Sequence, residues 1–313
     1  MKTAFLIIIG VAAIAAVIFS VFAVLAVKFF GRGKEYDVLS VLKNEPILLD
    51  RIVEGRKALA AHAFEPVSIT SFDGLRLDGR LYTENPDSKR FVLCFHGYHS
   101  IGHNDFAAAI DFLLTSGFNV LSVTQRAHGT SEGKYLTFGV KEKYDCVDWA
   151  KYLAARYEND IEIILDGVSM GAATVTMASD RSLGLPSCVK AMIADCGYSS
   201  PWDIVCHVAK SDYHLPAFPF IHILRFATKV VCGFDLKDGS SVEAIKNCGI
   251  PVFFAHGEAD DFVPYPMVKE ISGACRSEHV LFSVPGAAHG LSFVVDPEGY
   301  KKALLEFLGK HLG

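Results

Sequence analysis

The chain has 313 residues, a formal net charge of −5 at pH 7, and 51% apolar against 21% charged residues. This balance excludes a disordered chain and is typical of a globular protein with a large core. No long run of Lys or Arg is present, which excludes nucleic acid as a partner. The eight cysteines include no Cys-x-x-Cys pair. This argues against a zinc ribbon or a thioredoxin-like site and favours reduced thiols, although an even number also permits a bridged framework.

The first predicted element is an uncharged stretch from residue 3 to residue 27, rich in Ile, Val, Ala and Phe. As a helix rising about 1.5 Å per residue it spans roughly 37 Å, which exceeds a hydrocarbon core of about 30 Å. It is longer than the ~7–15-residue apolar core of a cleaved signal peptide. No Ala-x-Ala stands near its end. We therefore predict a single membrane anchor with a basic flank over residues 1–34, which contacts the lipid bilayer through residues 3–27. A cleaved signal and a buried core helix are the alternatives.

The charges beside this stretch bear on its orientation. Lys28, Arg32, Lys34 and Lys43 follow it, against Lys2 and the amino terminus before it. Since cytoplasmic flanks of membrane helices carry an excess of Lys and Arg, this bias places the globular part on the cytoplasmic side, and reduced thiols agree. A lysine ahead of an apolar stretch also resembles an uncleaved export signal, so the extracytoplasmic side is the alternative.

Residues 35–63 follow with apolar and charged residues at helical spacing, as in DRIVEGRKALAAH. They predict a connecting helix that packs on the fold or lies on the membrane surface. From about Phe64, β-rich runs alternate with helical patterns. The runs PVSIT and LRLDGRLY flank the turn FDG and predict a hairpin. Further strands are predicted at RFVLCF, NVLSVT, IEIILD, VKAMIAD, PVFFAH and HVLFSV.

Strands that alternate with helices predict an α/β fold over residues 64–313, with a mostly parallel central sheet and helices on both faces. In such a sheet, ligands bind beyond the carboxyl ends of the strands. Residues 201–247 form a longer connection than one helix requires, and we predict a small helical cap there. Its aromatic residues either line a pocket or pack the cap against the sheet. The residues in question are Trp202, His207, Tyr213, Phe218, Phe220, Phe226 and Phe234.

Two Gly-x-Ser-x-Gly pentads compete as the position of a nucleophile, one around Ser131 and one around Ser169. A nucleophile elbow needs a strand that stops abruptly and a helix that starts at once, because this sharp turn exposes the serine hydroxyl at the top of the sheet. The run IEIILDGVSMGAATVTMA has that order. Gly167 and Gly171 have no side chains, and side chains at these positions would collide with the neighbouring strand and helix. The strand before Ser131 ends several residues too early, and no helix follows. We therefore predict that Ser169 is the nucleophile and that Ser131 is a loop residue.

A serine hydroxyl needs a base that takes its proton, and the base needs an acid that holds its tautomer. On a sheet of this type the acid and then the histidine follow the serine along the chain. Asp260 and Asp261 come just after the strand PVFFAH, and His289 comes just after HVLFSV. Both positions lie past strand ends, from which side chains can converge on Ser169. The pattern predicts a Ser–His–Asp triad in which Asp260 and Asp261 are equal candidates for the acid.

An oxyanion hole is the remaining requirement, since negative charge develops on the tetrahedral intermediate of acyl transfer. One donor is predicted to be the backbone N–H of Met170, directly after the nucleophile. The other is predicted in the loop HGYHS that follows RFVLCF, at the N–H of Tyr98, where Gly97 permits a close approach.

These motifs resemble the α/β-hydrolase superfamily, and more narrowly its serine aminopeptidase-like or monoglyceride-lipase-like branch, which includes membrane-anchored bacterial members. The matching runs are FHGYHS, the Arg-x-His-Gly-x-Ser-x-Gly loop at residues 126–133, GVSMG, HGEADDFVP and GAAHG. The resemblance covers about residues 64–311. It implies the triad Ser169, Asp260 and His289, with Asp260 rather than Asp261 as the acid. Because this fold hosts many chemistries, the resemblance does not define the substrate.

Residues and resemblance together predict a membrane-anchored serine hydrolase that cleaves carboxylic ester bonds of a hydrophobic or acyl substrate through an acyl-enzyme. The alternatives are an aminopeptidase or amide hydrolase that uses the same triad, and a non-catalytic anchored scaffold. Neither a cofactor nor a metal is expected, because His99 and His103 stand four residues apart without a third ligand. Arg126 and Glu132 are expected to form an ion pair beside the site. The pattern leaves the oligomeric state open.

Overall fold

The computed structural model describes residues 1–35 and 45–313. Its strands are β1 (Glu65–Thr70), β2 (Arg76–Tyr82), β3 (Arg90–Phe95), β4 (Asn119–Val123), β5 (Glu162–Val168), β6 (Val189–Asp195), β7 (Val252–Gly257) and β8 (His279–Val284). Its helices are α1 (Lys2–Phe30), α2 (Pro46–Ala60), α3 (Gly102–Asp105), α4 (Ala107–Thr115), α5 (Glu142–Arg156), α6 (Met170–Ala178), α7 (Pro201–Ser211), α8 (His222–Ala227), α9 (Ser241–Ile245), α10 (Tyr265–Ala274), α11 (Ser292–Val295) and α12 (Pro297–His311). There are also a 3-10 turn at Arg181–Leu183 and π-helical segments at Ala217–Ile221 and Thr228–Cys232.

Within the described residues the strands form one sheet, in the order β1-β2-β4-β3-β5-β6-β7-β8. β2 runs antiparallel to β1 and β4, and every other neighbouring pair is parallel. The predicted hairpin and the predicted mostly parallel sheet are therefore confirmed. The register places Gly167, near the end of β5, beside Phe95 of β3 and Ala194 of β6. The carboxyl ends of these three strands thus meet at one edge.

The central strands are buried on both faces, because helices cover each side of the parallel sheet. In β3, Leu93 and Phe95 belong to one apolar cluster, whereas Val92 and Cys94 belong to the other. The first cluster includes residues of α5, α6 and α10, and the second includes residues of α4 and α12. All eight cysteines are free thiols, and most of them are buried. The core thus fixes the sheet edge that carries the candidate site.

The predicted connecting helix is observed as α2, which packs against α4. The two helices approach closely at Gly55, where an added Cβ would lie 2.6 Å from the Cβ of Ala108. Ile52 and Leu59 are buried on the same helix. Of the two alternatives, packing on the fold is the one observed. The part of the prediction that covers residues 36–44 lies outside the described residues.

The helix α1 ends against the cap, which consists of α7, α8, α9 and the two π-helical segments between β6 and β7. Its final residue, Phe30, is buried and packs edge-on against Phe138 and Phe234. Several cap aromatics therefore have a role that neither alternative anticipated, since they pack on α1. The pairs are Tyr213 on Phe29, Phe220 on Phe22 and Phe226 on Phe19.

Candidate active site

The candidate nucleophile Ser169 stands in a strained turn between β5 and α6. Its backbone has φ 56° and ψ −113°, a conformation that costs free energy for a residue with a side chain. The glycines on either side are required sterically. A Cβ on Gly167 would lie 2.3 Å from the carbonyl oxygen of Gly171, and a Cβ on Gly171 would lie 1.8 Å from that of Phe95. This tight packing against β3 aims the serine at the sheet edge, as a nucleophile elbow requires.

The structure brings Ser169, His289 and Asp260 together. The His289 Nε2 lies 2.8 Å from the Ser169 Oγ, and the His289 Nδ1 lies 2.8 Å from the Asp260 Oδ2. Asp261 takes no such position: its side chain is exposed, and its backbone carbonyl meets the His207 ring at 3.0 Å. Of the two acids that the residue pattern left open, Asp260 is the one in contact with the histidine.

Asp260 is held as a carboxylate. Burial alone would raise its pKa, but contacts with His256 and His289 and the backbone N–H of Val263 outweigh burial and lower the pKa to about 2. The N–H groups of Phe262 and Val263 donate to the Oδ1 at 3.0 and 2.8 Å. The Oδ2 is therefore left to face the two histidines, and His289 gains a partner that stays ionised across the acid range.

The loop after β3 passes close to Ser169, because a Cβ on Gly97 would lie 3.4 Å from the Ser169 Cβ. Its neighbouring N–H groups are committed elsewhere: that of Gly97 donates to the Asp105 Oδ2 at 2.7 Å, and that of His99 donates to the His128 Nε2 at 3.1 Å. The Tyr98 N–H between them makes no hydrogen bond to a described residue. Tyr98 therefore has a backbone donor free beside the serine.

The second predicted donor, the Met170 N–H, is at the first position of α6. The first N–H groups of a helix lack intrahelical acceptors and point along the positive end of its dipole. The carbonyl of the preceding Ser169 already accepts the N–H of Ala173 at 3.0 Å. Met170 and Tyr98 thus present their N–H groups from two elements that both pack against the serine.

Sequence reasoning missed the residues that support this loop. Asp105 also accepts the Ser100 hydroxyl. The His96 Nδ1 donates to the Gly97 carbonyl at 2.8 Å, and its Nε2 accepts the Gln125 N–H at 3.0 Å. These contacts hold His96 in the loop, where both of its ring nitrogens are engaged by the backbone. Asp105 carries no sequence signal, since it lies in no recognisable motif.

The rival pentad is structural. The Ser131 hydroxyl is buried, donates to the Thr124 carbonyl at 2.6 Å and accepts the Asp78 N–H at 2.8 Å. The expected ion pair between Arg126 and Glu132 is wrong. Glu132 instead accepts the backbone N–H of Arg76 at 2.9 Å. The guanidinium of Arg126 binds two other carboxylates, which the sequence did not indicate because they come from distant segments.

Among the described residues, one group brings three potential metal-binding side chains within 4.8 Å of one another, namely Cys196, Asp260 and His289. The two latter groups already bind each other. Burial, reinforced by the neighbouring Asp195, raises the pKa of the Cys196 thiol well above its usual range, so this cysteine carries a proton rather than the charge of a ligand. The group is therefore better suited to orienting His289 than to holding a metal.

Acid is expected to destabilise the fold through His96. Burial lowers the pKa of His96 from 6.5 to about 4. Between these values the unfolded chain binds a proton that the folded chain refuses, so the free energy of unfolding falls as the pH falls from 6.5 to 4. The expected loss is about 3 kcal/mol, since one pKa unit corresponds to about 1.4 kcal/mol. Chemical denaturation across this pH range measures it.

The matched control is His96→Gln, whose amide oxygen can still accept the Gln125 N–H but does not titrate. Its unfolding free energy is expected to depend less steeply on pH than that of the wild type. Equal slopes for the two proteins would show that His96 does not carry the effect.

No protein-family model matches the chain. It is similar to the uncharacterized protein YqkD of Bacillus subtilis (strain 168), with 27% identity over 195 residues that cover 62% of this chain and 63% of that protein. It is also similar to the bifunctional esterase/perhydrolase DCH of Acinetobacter calcoaceticus, with 26% identity over 268 residues that cover 69% of this chain and 91% of that protein. Among solved structures, the Pyrococcus furiosus esterase PF2001 matches with a TM-score of 0.66 and 27% identity over 82% of this chain and 94% of that one.

The sheet order, the strained serine elbow and these similarities agree. The chain has the α/β-hydrolase fold that the motifs predicted, and these similarities support the α/β-hydrolase superfamily. It is an α/β-hydrolase enzyme.

Proposed function

We propose that this enzyme is a membrane-anchored serine esterase that hydrolyses a hydrophobic or acyl ester, within the serine aminopeptidase-like or monoglyceride-lipase-like branch of the superfamily. The observation that carries the proposal is the unbroken contact from Ser169 through His289 to Asp260, with 2.8 Å at each step. Two similar proteins are an esterase and an esterase/perhydrolase, which supports ester substrates.

Acylation begins when the Ser169 Oγ attacks the ester carbonyl carbon and His289 Nε2 takes the hydroxyl proton. Asp260 keeps the other ring proton on Nδ1 and stabilises the imidazolium that forms. The carbonyl oxygen becomes an oxyanion, which accepts hydrogen bonds from the N–H groups of Met170 and Tyr98. Collapse of the intermediate breaks the ester C–O bond, and His289 returns the proton to the departing alkoxide, which leaves as the alcohol.

Deacylation repeats these steps with water. His289 takes a proton from the water as its oxygen attacks the Ser169 ester, the same two N–H groups stabilise the second oxyanion, and the carboxylic acid leaves as Ser169 regains its proton. The same residues can cleave amides, whose amine leaving group needs protonation more than an alkoxide does. Amide or aminopeptide hydrolysis is therefore the second candidate function.

The anchor is part of the proposal. Among the described residues, α1 is the one helix long and apolar enough to cross a bilayer, with a mean hydropathy of 3.0 over its most apolar window. Its end is joined to the site: the Tyr98 hydroxyl donates to the Phe29 carbonyl at 2.8 Å, and Arg32 donates to the Gly129 carbonyl at 2.7 Å. These contacts support a retained anchor over a cleaved signal. We assign the catalytic domain to the cytoplasmic side, and protease protection in intact cells and spheroplasts tests that side.

The full-length protein in detergent tests the proposed activity. A panel of p-nitrophenyl esters of increasing chain length is expected to be hydrolysed, with aminoacyl p-nitroanilides turned over far more slowly. A fluorophosphonate probe is expected to label the wild type and the Ser131→Ala variant but not Ser169→Ala. Faster turnover of the anilides would favour the amide hydrolase. Absence of both labelling and turnover in folded protein would favour the non-catalytic scaffold.

A further inference from the structure

The helix α1 divides into two parts by its contacts. Every residue from 2 to 18 is exposed. From Phe19 onward one face packs against the rest of the protein, through residues that recur every three or four positions. They are Phe19, Phe22, Leu25, Ala26, Phe29 and Phe30. The second part is therefore a docked helix rather than a free tether, and its partner is the cap.

The position of these contacts along α1 sets the depth of the cap. A helix that enters a hydrocarbon core of about 30 Å at residue 3, and rises about 1.5 Å per residue, leaves that core at about residue 23. Phe19 contacts Phe226 with ring centroids 5.8 Å apart, and Phe22 stacks on Phe220 at 6.4 Å. With α1 as the membrane span, the cap aromatics that bind it would lie at the boundary of the hydrocarbon, beside the lipid headgroups.

The surface of the cap beside α1 is apolar and exposed. Phe218 is 76% exposed, and Phe226 and Val230 are each 59% exposed. These three residues define what we call the cap face. It adjoins α1, since Phe226 contacts Phe19, and large apolar side chains in contact with water mark an interaction surface.

The charges around the cap face fit the headgroup region. Lys28, in the last turn of α1, and Lys229, beside Val230, are both exposed. Lys229 lies 3.5 Å from Asp235, whose carboxylate is mainly engaged by Arg225 at 2.7 Å. Lysines at such a depth extend their ammonium groups to lipid phosphates while their methylene stems remain in apolar surroundings.

We infer that the cap face is inserted in the bilayer interface and that the substrate, a membrane-dissolved acyl ester, reaches Ser169 directly from the lipid. This rests on the proposed esterase function and on α1 as a membrane span. The region between α1 and Ser169 is apolar, because one cluster joins α1 and the cap to the two proposed oxyanion residues. That cluster includes Ala26, Tyr98, Met170, Ile204 and Leu224.

The depth of the cap face is measured with a tryptophan reporter. Phe226→Trp in lipid nanodiscs is expected to be quenched by lipids brominated near the headgroup, after subtraction of the wild-type signal from Trp149 and Trp202. The control is Phe64→Trp, because Phe64 is a comparably exposed aromatic residue (44%) that lies outside the cap. Quenching of Phe226→Trp no stronger than that of the control would overturn the inference.

The route of the substrate is tested by introducing a negative charge into the cap face. Val230→Asp is expected to retain hydrolysis of a water-soluble p-nitrophenyl ester within about twofold, and to lose at least tenfold in hydrolysis of a long-chain ester dissolved in the nanodisc. The control is Val280→Asp on the edge strand β8, since Val280 is an exposed valine (40%) away from the cap. Equal effects of the two variants, or equal losses on the two esters, would contradict entry from the lipid.

Two other outcomes are distinguishable. Contact between copies would protect Phe226→Trp from quenching by the brominated lipids. If such protection were found and disappeared when each nanodisc held a single protein, the cap face would be assigned to contact between copies, against the inference. No turnover of the soluble ester by the wild type would instead refute the proposed esterase, while the quenching experiment still reports the depth of the cap.

Discussion

Replacing Ser169 with alanine is expected to lower kcat for ester hydrolysis by about 10⁶-fold, with KM changed far less. The reason is that the proposed nucleophile is the Ser169 hydroxyl, which lies 2.8 Å from the His289 Nε2, and no other described hydroxyl meets that nitrogen. The residual rate is expected to come from the proposed oxyanion hole, which would still polarise the carbonyl for attack by water. Burst-phase and steady-state assays of purified full-length protein measure both parameters.

The two aspartates provide a matched comparison. Asp260→Asn is expected to lower kcat by about 10⁴-fold, because the amide no longer holds the His289 Nδ1 proton in place. Asp261→Asn is expected to leave kcat within a few-fold, since that side chain points to solvent. The double variant Ser169→Ala/Asp260→Asn should be about as slow as Ser169→Ala alone, because residues of one relay do not act additively. A larger loss in Asp261→Asn than in Asp260→Asn would contradict the assignment of the acid.

The fold and the candidate site were predictable to different degrees. The reason is how far apart in the sequence the interacting residues lie. The elbow around Ser169 is encoded by adjacent residues, and parallel strands bring their carboxyl ends to one edge, so Asp260 and His289 could be placed near it from order alone. Choosing Asp260 over Asp261 required the resemblance, because the two aspartates are adjacent after the same strand and the local sequence pattern does not distinguish them.

The interactions that were missed join separate segments. Asp105 binds the Gly97 N–H from the end of α3, which no local pattern indicates. The contact between α1 and the cap was equally hidden. A phenylalanine in an apolar helix is explained by a membrane, and one in a cap is explained by packing on the sheet, so nothing in either pattern demanded that Phe22 and Phe220 meet.

The same limit applies to Arg126, whose replacement is expected to have the largest effect on stability. Its guanidinium is 2% exposed and donates to both oxygens of Asp145 at 2.6 and 2.7 Å. It also donates to both oxygens of Asp73 at 2.9 and 3.0 Å. Arg126→Met leaves Asp145 as an unpaired buried carboxylate, and we expect a loss of about 3–5 kcal/mol in the free energy of unfolding. Denaturation in mild detergent measures that loss.

The control is Arg156→Met, because Arg156 forms a similar two-pronged pair with Glu65, at 2.6 and 3.0 Å, on the surface. Water screens that pair, so its loss is expected to cost no more than about 1 kcal/mol. The double variant Arg126→Met/Asp145→Leu removes the stranded charge and should recover much of the stability lost in Arg126→Met. If the double variant were no more stable than Arg126→Met, the cost would lie in lost packing of the arginine rather than in a buried charge. Arg126 begins the loop that carries Ser131, so the activity of each variant also shows whether the loss of this ion cluster affects the candidate site as well as the stability of the fold.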